Sequence, residues 1–538
     1  MRYPLCRVLL SAALTLVSAQ VIFANPTGPQ VIEGLVSFND SITDTLEVTN
    51  SNGAIIDWQG FSIDQGEITR FVQPDVASSV LNRIVGQDPS SIFGQLSSNG
   101  RVLLVNPNGV VFGSSALVDT AGLVVSTLQI DEKAFREGRF AFVAEDSGSI
   151  VNHGFIRSGS DGEVVLIAPV IENTGVVETD NGDLILAAGQ SVTLTSLDLE
   201  HVTVEVQAPG DNVLNVGALL TEKGAIGLFA DTIRSAGSIE ADGLVQDADG
   251  TIRLVAASQV FLETGSSVRT PAGDIEIVSE DTVSIAGVVD ASAGSPAPAP
   301  AAVAGSPAIG AVSVGAVGDV SVDNAQLAAG TVSIDVERGD LTLLGTTISG
   351  SEIALNVYDD FVHSGGGAIT ATSEIEIATA GLILEAAVSV PEGTLTLRPF
   401  LDGPATVIRA SDSGKTNGSG AGEARSARER LDIIADQQFP NITAKRLVLG
   451  SSEGNLLLEA PLGSATFGGL QELEFLGDTI VLSADVVLSG AGGAQNASLF
   501  AGSVTSSVAV NPGVTVDAGS GTVKIETDTD LFLTDVVL

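Results

Sequence analysis

The sequence predicts an all-β protein, a right-handed parallel β-helix (a solenoid) with an N-terminal cap and loop insertions. Three observations predict it. From Ile32 onward, short alternating or apolar runs are punctuated by Gly, Asn and Asp. Val, Ile, Leu and Thr are abundant, which favours strands. The third observation is a repeat. Asn152-His153-Gly154-Phe155-Ile156 recurs 21 residues later as Asn173-Thr174-Gly175-Val176-Val177, and Val164-Val165-Leu166-Ile167-Ala168 recurs 20 residues later as Leu184-Ile185-Leu186-Ala187-Ala188. Gly-Asp also recurs before strands, at Gly182, Gly273, Gly318, Gly339 and Gly477. A period near 20 residues, all strand and turn, is the mark of stacked coils, none of which buries its inward face alone. A sandwich has short strands without a fixed period. If about 20 coils stack at the strand spacing of ~4.8 Å, the rod is on the order of 100 Å long.

Composition limits the partners. The 538 residues include 66 acids against 23 bases, a net charge of -43. Nucleic acid is not expected as a partner, since phosphate recognition needs clustered Lys and Arg. A Gly-rich, Lys-poor, acidic chain with 19 Phe but one Trp and two Tyr suggests an extracellular surface protein. Its 44% hydrophobic content argues against disorder.

Taken in order, residues 1-24 read as a secretory signal peptide. Arg2 and Arg7 supply the positive start, Val8 to Val17 the apolar core, and small residues lead to cleavage after Ala24. Cys6, the only cysteine, leaves with it, which excludes disulfides and thiolate chemistry from the remainder. No later run of 18 apolar residues suggests a membrane span. The stretch from Ile55 to Gly113 contains the lone Trp58 and the turn Asn106-Pro107-Asn108-Gly109. Asn accepts backbone hydrogen bonds, Pro presets its dihedral, and Asn then Gly tolerate the conformations of the last two turn positions. Val102 to Val105 and Val110 to Phe112 then read as two short buried strands, paired across that turn. Asp75 to Val85 suits a short helix or an irregular cap segment, and Asp131 to Gly138 a helix of one or two turns. Two breaks come later in the chain. Residues 291-317 form a Pro/Ala/Gly-rich linker or loop, and 411-430 a polar, Gly/Ser-rich flexible loop ending in arginines. Strand patterning resumes after each, so one long interrupted solenoid is expected.

The opening stretch resembles the N-terminal secretion domain of the filamentous haemagglutinin family, the exoproteins of two-partner secretion in Gram-negative bacteria. The matching residues are Trp58, Phe61 and Ile63; Phe71, Gln73 and Pro74; Leu81, Asn82 and Arg83; Ile92, Gly94, Leu96, Asn99 and Gly100. They continue through Val105 to Gly113, Gly122 to Thr127, the Asn152/Gly154 coil, Leu166 to Pro169, and Leu186 to Gly189. The second family motif, Asn-Pro-Asn-Leu, is absent, which places the chain in a divergent branch. The resemblance implies a secretion domain over 25-290 and β-helical passenger repeats over 318-538. It implies Sec export, then recognition by the periplasmic domains of a dedicated outer-membrane β-barrel transporter, and folding outside the cell or on its surface. Asn106, Pro107, Asn108, Gly109, Trp58, Phe61, Gln73, Pro74, Asn82 and Arg83 are the candidate residues of that address. Trp58 and Phe61 suit core or cap packing as well, and the Asn106 turn suits a purely structural corner.

No catalytic, metal or cofactor residues are assigned. His153, His201 and His363 are dispersed without ligand spacing and fit solvated or capping positions. Arg338-Gly339-Asp340 spells an integrin-type tripeptide, but Gly-Asp is already a recurrent turn here. Asp247-Ala248-Asp249-Gly250 lacks the remaining ligands of a calcium loop. Three function classes remain. The first is a secreted, adhesin-like exoprotein with a host-cell or glycan ligand. The second is a polysaccharide-active β-helical enzyme, which needs convergent carboxylates that the dispersed acids do not supply. The third is the remnant of a contact-dependent toxin carrier. A toxin carrier requires a distinct C-terminal module, whereas strand pattern runs through Leu531-Phe532-Leu533.

Overall fold

The computed structural model describes residues 25-538 apart from 145-146, 160, 195-201, 206-210, 242-249, 272, 293-309, 402-404, 412-429, 464-469, 489-495, 502-506, 519-521, 528-529 and 534-538. The expected signal peptide, most of both breaks, His201 and Asp247 to Asp249 lie outside the described residues. The described residues form a parallel β-solenoid of about 16 turns. Stacked at the usual strand spacing, these make a rod of roughly 75 Å. The coils are fewer than the 20 expected because insertions consume residues without adding turns.

The sequence repeat is the stacking register. Ile150–Asn152, Phe155–Ser158 and Val164–Ile167 are the three strands of one turn. The next turn lies parallel on it, with Asn152 over Asn173, Phe155 over Val176 and Val164 over Leu184. The corner Asn-x-Gly repeats because both of its residues are needed there. The Asn152 carboxamide donates to Asn173 Oδ1 (2.8 Å), Asn173 donates to Asn215 Oδ1 (2.9 Å), and Asn215 donates to Ser235 Oγ (3.2 Å). All three asparagines are fully buried. Two residues on, the glycines stack so closely that a Cβ on Gly217 would stand 1.9 Å from the Gly175 carbonyl oxygen.

Outward positions differ along the rod. Beyond residue 250 many strands alternate, as Thr331–Val336 does, with Thr331, Ser333 and Asp335 outward and Val332, Ile334 and Val336 buried. Earlier strands are apolar on both faces: Arg101–Val105, Gly122–Ser126, Val164–Ile167 and Leu184–Ala187 bury nearly every residue. Their outward side chains meet a second layer inserted between turns. Gln129–Ile130, Phe140–Val143, Ser191–Leu194 and Val202–Glu205 form an antiparallel sheet. With the helix Glu132–Arg136, the first three of these strands cover Ile55, Leu81, Leu103, Val124, Val165 and Ile185. Continuous apolar runs are what strands buried on both faces require. The helix falls where expected, with Asp131 as its N-cap accepting from Lys133 N (2.8 Å) and Ala134 N (3.2 Å).

The cap is antiparallel: Gln30–Glu33 pairs with Ala54–Trp58, and Val36–Ile42 with Thr45–Asn50. Three other expectations need correction. Asp75 to Val85 is neither helix nor irregular cap. The Asp75 carboxylate accepts from Ser78 Oγ (2.7 Å) to close a turn, and Ser79–Ile84 is a strand with Val80 and Asn82 buried. The two strands flanking Asn106 do not pair with each other. Arg101–Val105 lies between Ser79–Ile84 and Gly122–Ser126, and Val110–Phe112 lies between Ser90–Ile92 and Ile150–Asn152. A corner separates faces, so its strands find partners one turn away. Within 291-317, Ala311–Ala316 already belongs to the stack, paired with Ile275–Ser279 and Thr331–Val336. Its alanines and glycine disguise the buried Val312 and Val314.

The recurrent Gly-Asp is a second ladder. Asp319 Oδ1 accepts from Asp340 N and Asp340 Oδ1 from Asp360 N, each at 2.9 Å, which makes Arg338-Gly339-Asp340 one rung. Desolvation, then the neighbouring Asp340 and Asp359 charges, raise the Asp360 pKa above the ordinary carboxylate value. A raised folded pKa favours the native state below the unfolded pKa, and that contribution is lost as pH rises through the folded one. Asp360→Asn should therefore melt higher than the parent at pH 7, on the order of one degree, with the gap closing toward pH 4. A gap that widened on acidification would contradict this ladder. His363 departs from its expected solvated or capping position. It is fully buried, in register between Leu343 and Leu384, and desolvation lowers its pKa.

Candidate functional site

The ten candidate residues do not converge on one surface. They occupy four places in the first turns. Trp58 and Phe61 lie inside the coil, fully or almost fully buried, in a T-shaped pair with ring centroids 5.6 Å apart. Phe38 from the cap meets Trp58 at 5.7 Å, and Phe71 stacks on Phe61 at 6.4 Å. Asn82 is buried beside them. Its Oδ1 accepts from Trp58 Nε1 (3.0 Å) and its amide donates to Leu103 O (3.2 Å), tying three successive turns together.

Gln73 sets the corner before Ser79–Ile84. Its backbone N donates to Asn99 Oδ1 (2.8 Å), and its side chain donates to Ser98 Oγ (3.1 Å) and Arg101 O (2.9 Å). A Cβ on Gly100 would run into that carboxamide at 2.7 Å, so the Asn99-Gly100 pair serves this corner. Pro74 next to it is exposed.

Arg83 points outward, into the layer of insertions. It bridges Asp57 (2.7 Å) on its own face and Glu132 on the inserted helix. Arg136 continues the chain of charges, meeting Glu132 at 2.9 Å and Glu33 of the cap at 2.6 Å. Burial opposes the Arg83 charge, but its hydrogen bonds to both acids outweigh this and raise its pKa. The same Arg83 bond is the main cause holding Glu132 below the usual carboxylate value. Arg83→Ala leaves Asp57 and Glu132 uncompensated and unpins the helix. The expected loss is about 1–2 kcal/mol, discounted for partial exposure. Hydrogen exchange over 129-143 should quicken before exchange in the coils; uniform protection across the chain would contradict the pinning.

Asn106 to Gly109 form the corner between Arg101–Val105 and Val110–Phe112. Asn106 is fully buried and satisfied. It donates to Asp88 O (3.1 Å) and Ser90 Oγ (3.0 Å), and accepts from the backbone and side-chain nitrogens of Asn108, both at 3.0 Å. Gly109 N closes the turn on Asn106 O (3.1 Å), with φ at +115°, where a side chain would be strained. The exposed Asn108 reaches back to Gly86 O (3.0 Å). Beside Pro107 and Asn108 opens a cleft of about 700 Å³. Pro89 and Pro169 supply further apolar wall, and Gln87, Ser147 and Gln190 its polar groups. Sequence reasoning met Pro169 only within the family resemblance and missed the other four. They belong to neighbouring turns and to the roots of the insertions, and only the coil register brings them to one corner. Among the described residues, no group of three His, Cys, Asp or Glu is placed to hold a metal ion.

An N-terminal cap, a hydrogen-bonded Asn-Pro-Asn-Gly corner and an inserted second layer on a parallel coil stack coincide with a family match. The family described as TPS secretion domain matches residues 36–277. Residues 36–277 form a two-partner secretion domain. Two heme/hemopexin-binding proteins of Haemophilus influenzae are similar to it. The first is 32% identical over 186 residues, 31% of this chain and 20% of the relative. The second is 32% identical over 133 residues, 24% of this chain and 14% of the relative. The chain thus spans about a fifth or less of these relatives' lengths. Among solved structures, the HMW1 secretion domain from Haemophilus influenzae aligns over 93% of this chain and all of its own, at 22% identity and a TM-score of 0.42. The filamentous hemagglutinin secretion domain aligns over 64% of this chain and 98% of its own, at 15% identity and a TM-score of 0.28. TPS exoproteins are secreted across the outer membrane to the extracellular space or cell surface, and that is where this one belongs.

Proposed function

We propose that the cap and first turns are the address read by the periplasmic domains of a dedicated outer-membrane β-barrel transporter. The chain, delivered by Sec export, threads outward through that transporter and folds on the far side. The observation that carries this reading is the TPS secretion domain over residues 36–277. Composition supports it independently. The single cysteine falls at position 6, so no disulfide within 25-538 would obstruct passage as an extended chain. Coils that contact only their neighbours can form one after another, and folding outside then opposes backsliding. Within the address, the buried Trp58, Phe61, Asn82, Gln73 and Asn106 shape the scaffold, while exposed Pro74 and Asn108 stand available for contact. Once outside, we propose an adhesive role toward a host-cell or glycan ligand.

The test is co-expression with the cognate transporter. Deleting residues 25-200 should leave the remainder in the periplasm, with none in the medium. Continued release of the deleted protein at parental levels would refute the proposal.

A further inference from the structure

We propose that the cleft beside Pro107 binds a short, neutral oligosaccharide. Its volume, about 700 Å³, lies within the range of small-molecule sites. Among the described residues the lining contains no charged side chain, although the chain as a whole carries -43. An anionic or cationic ligand would find no counter-charge among the described lining residues. What the cleft offers is uncommitted polar atoms between apolar walls. The Gln87 carboxamide makes no hydrogen bond to the described residues, and the Ser147 hydroxyl is buried without a partner. Asn108 uses its amide and leaves Oδ1 free; Gln190 gives its amide to Asp211 (2.9 Å) and leaves Oε1 free. Two of these are acceptors awaiting donors, and the Ser147 hydroxyl and the Gln87 carboxamide can do both. Sugar hydroxyls meet that need, and the rings of Pro89, Pro107 and Pro169 give C–H surface for the faces of a pyranose.

A polypeptide fits less well. The backbone around the cleft is already paired: Ser90 N to Gly109 O (2.9 Å), Val110 N to Ser149 O (3.0 Å), Gly148 N to Pro107 O (2.7 Å) and Ala144 N to Gln190 O (2.8 Å). Among the described residues no strand edge is free to be extended there, and no aromatic lines the walls as polyproline recognition requires.

The inference rests on the adhesive half of the proposed function, and the experiment separates the two. The secreted full chain is applied to an array of neutral chito-, manno- and galacto-oligosaccharides of two to four residues, beside sialylated and sulfated counterparts. Gln87→Ala and Gln190→Ala, singly and together, are compared with the parent for array binding, circular dichroism, release into the medium and adhesion to host cells. The expected result is a neutral glycan bound by the parent and at least ten-fold more weakly by the double variant. Its circular dichroism and its release should equal the parent's. Absence of any neutral hit, preference for the anionic counterparts, or equal binding by the double variant overturns the cleft assignment. Reduced release of a folded double variant without glycan binding does so too, and makes the corner a polypeptide contact. Adhesion that survives in the double variant preserves the adhesive reading while excluding this cleft; loss of both adhesion and glycan binding in the parent removes both.

Discussion

Trp58→Ala should cost about 3–5 kcal/mol, the range for emptying a large buried aromatic site. The indole is fully buried, and three kinds of interaction end with it. The edge contacts to Phe38 and Phe61 disappear, the cavity opens directly under the cap, and Asn82 Oδ1 loses its only donor among the described residues, Trp58 Nε1. The cap cannot collapse to fill the space, because Ala54–Trp58 is held on both sides, by Gln30–Glu33 and by Ser79–Ile84. Trp58→Phe separates the contributions. It keeps most of the ring and strands the Asn82 acceptor, so about 1–3 kcal/mol should go. The measurement is urea unfolding followed by circular dichroism, with hydrogen exchange over 30-63 to place the effect. A Trp58→Ala protein with parental exchange in the cap would show that the aromatic cluster is dispensable. Because coils interact mainly with their neighbours, loss at the first turn should spread only as far as the stack depends on a closed end.

That local character explains which parts of the fold were legible. A coil is specified by residues about 20 apart, and the Asn152/Asn173 and Val164/Leu184 pairs stand in register as their spacing required. The helix at Glu132–Arg136 was legible because a capping aspartate and its short run are local signals. The second layer was not, because its contacts to Ile55, Leu81 and Leu103 join positions that no period relates. Its trace was nevertheless present: runs such as Val164 to Ile167 are apolar at every position, where a one-sided coil would alternate. The strand at Ser79–Ile84 was misread for the same reason. Val80, Leu81 and Asn82 are all buried, which resembles a helical apolar stripe until both faces have a covering layer.

The candidate site shows the same division. Spacing and residue type identified the corner at Asn106, and its side chain makes the hydrogen bonds a turn asparagine should make. They could not reveal that Arg83 reaches an inserted helix, or that Gln87, Pro107, Pro169 and Gln190 share one cleft. Each of those groupings depends on insertions returning to the same corner. A solenoid therefore declares its axis in its sequence and hides its surface, because the axis repeats and the surface does not.

The repeat itself makes the second large prediction. Asn173→Ala should lose about 2–5 kcal/mol, more than an exposed turn asparagine would. Asn173 sits in the middle of a buried column, accepting from Asn152 Nδ2 and donating to Asn215 Oδ1. Truncation leaves a donor below and an acceptor above without partners. Each orphaned buried group costs about 1–3 kcal/mol. Water cannot readily replace the amide, since the neighbouring turns stay only a strand spacing apart and Gly154, Gly175 and Gly217 close the corner. Asn215→Ala, nearer the end of the column, should cost less, because the Ser235 hydroxyl that accepts from it can still donate elsewhere and the Asn173 amide keeps Ala218 O (3.4 Å) as an acceptor. Replacing Asn152, Asn173 and Asn215 together by Leu should recover part of the loss, since no carboxamide then remains to be orphaned. Limited proteolysis and hydrogen exchange across 150-221 would read the order: the single Asn173 variant opens first, the triple variant later, the parent last. If the triple variant were the least protected, the column would be acting through its shape and not through its hydrogen bonds.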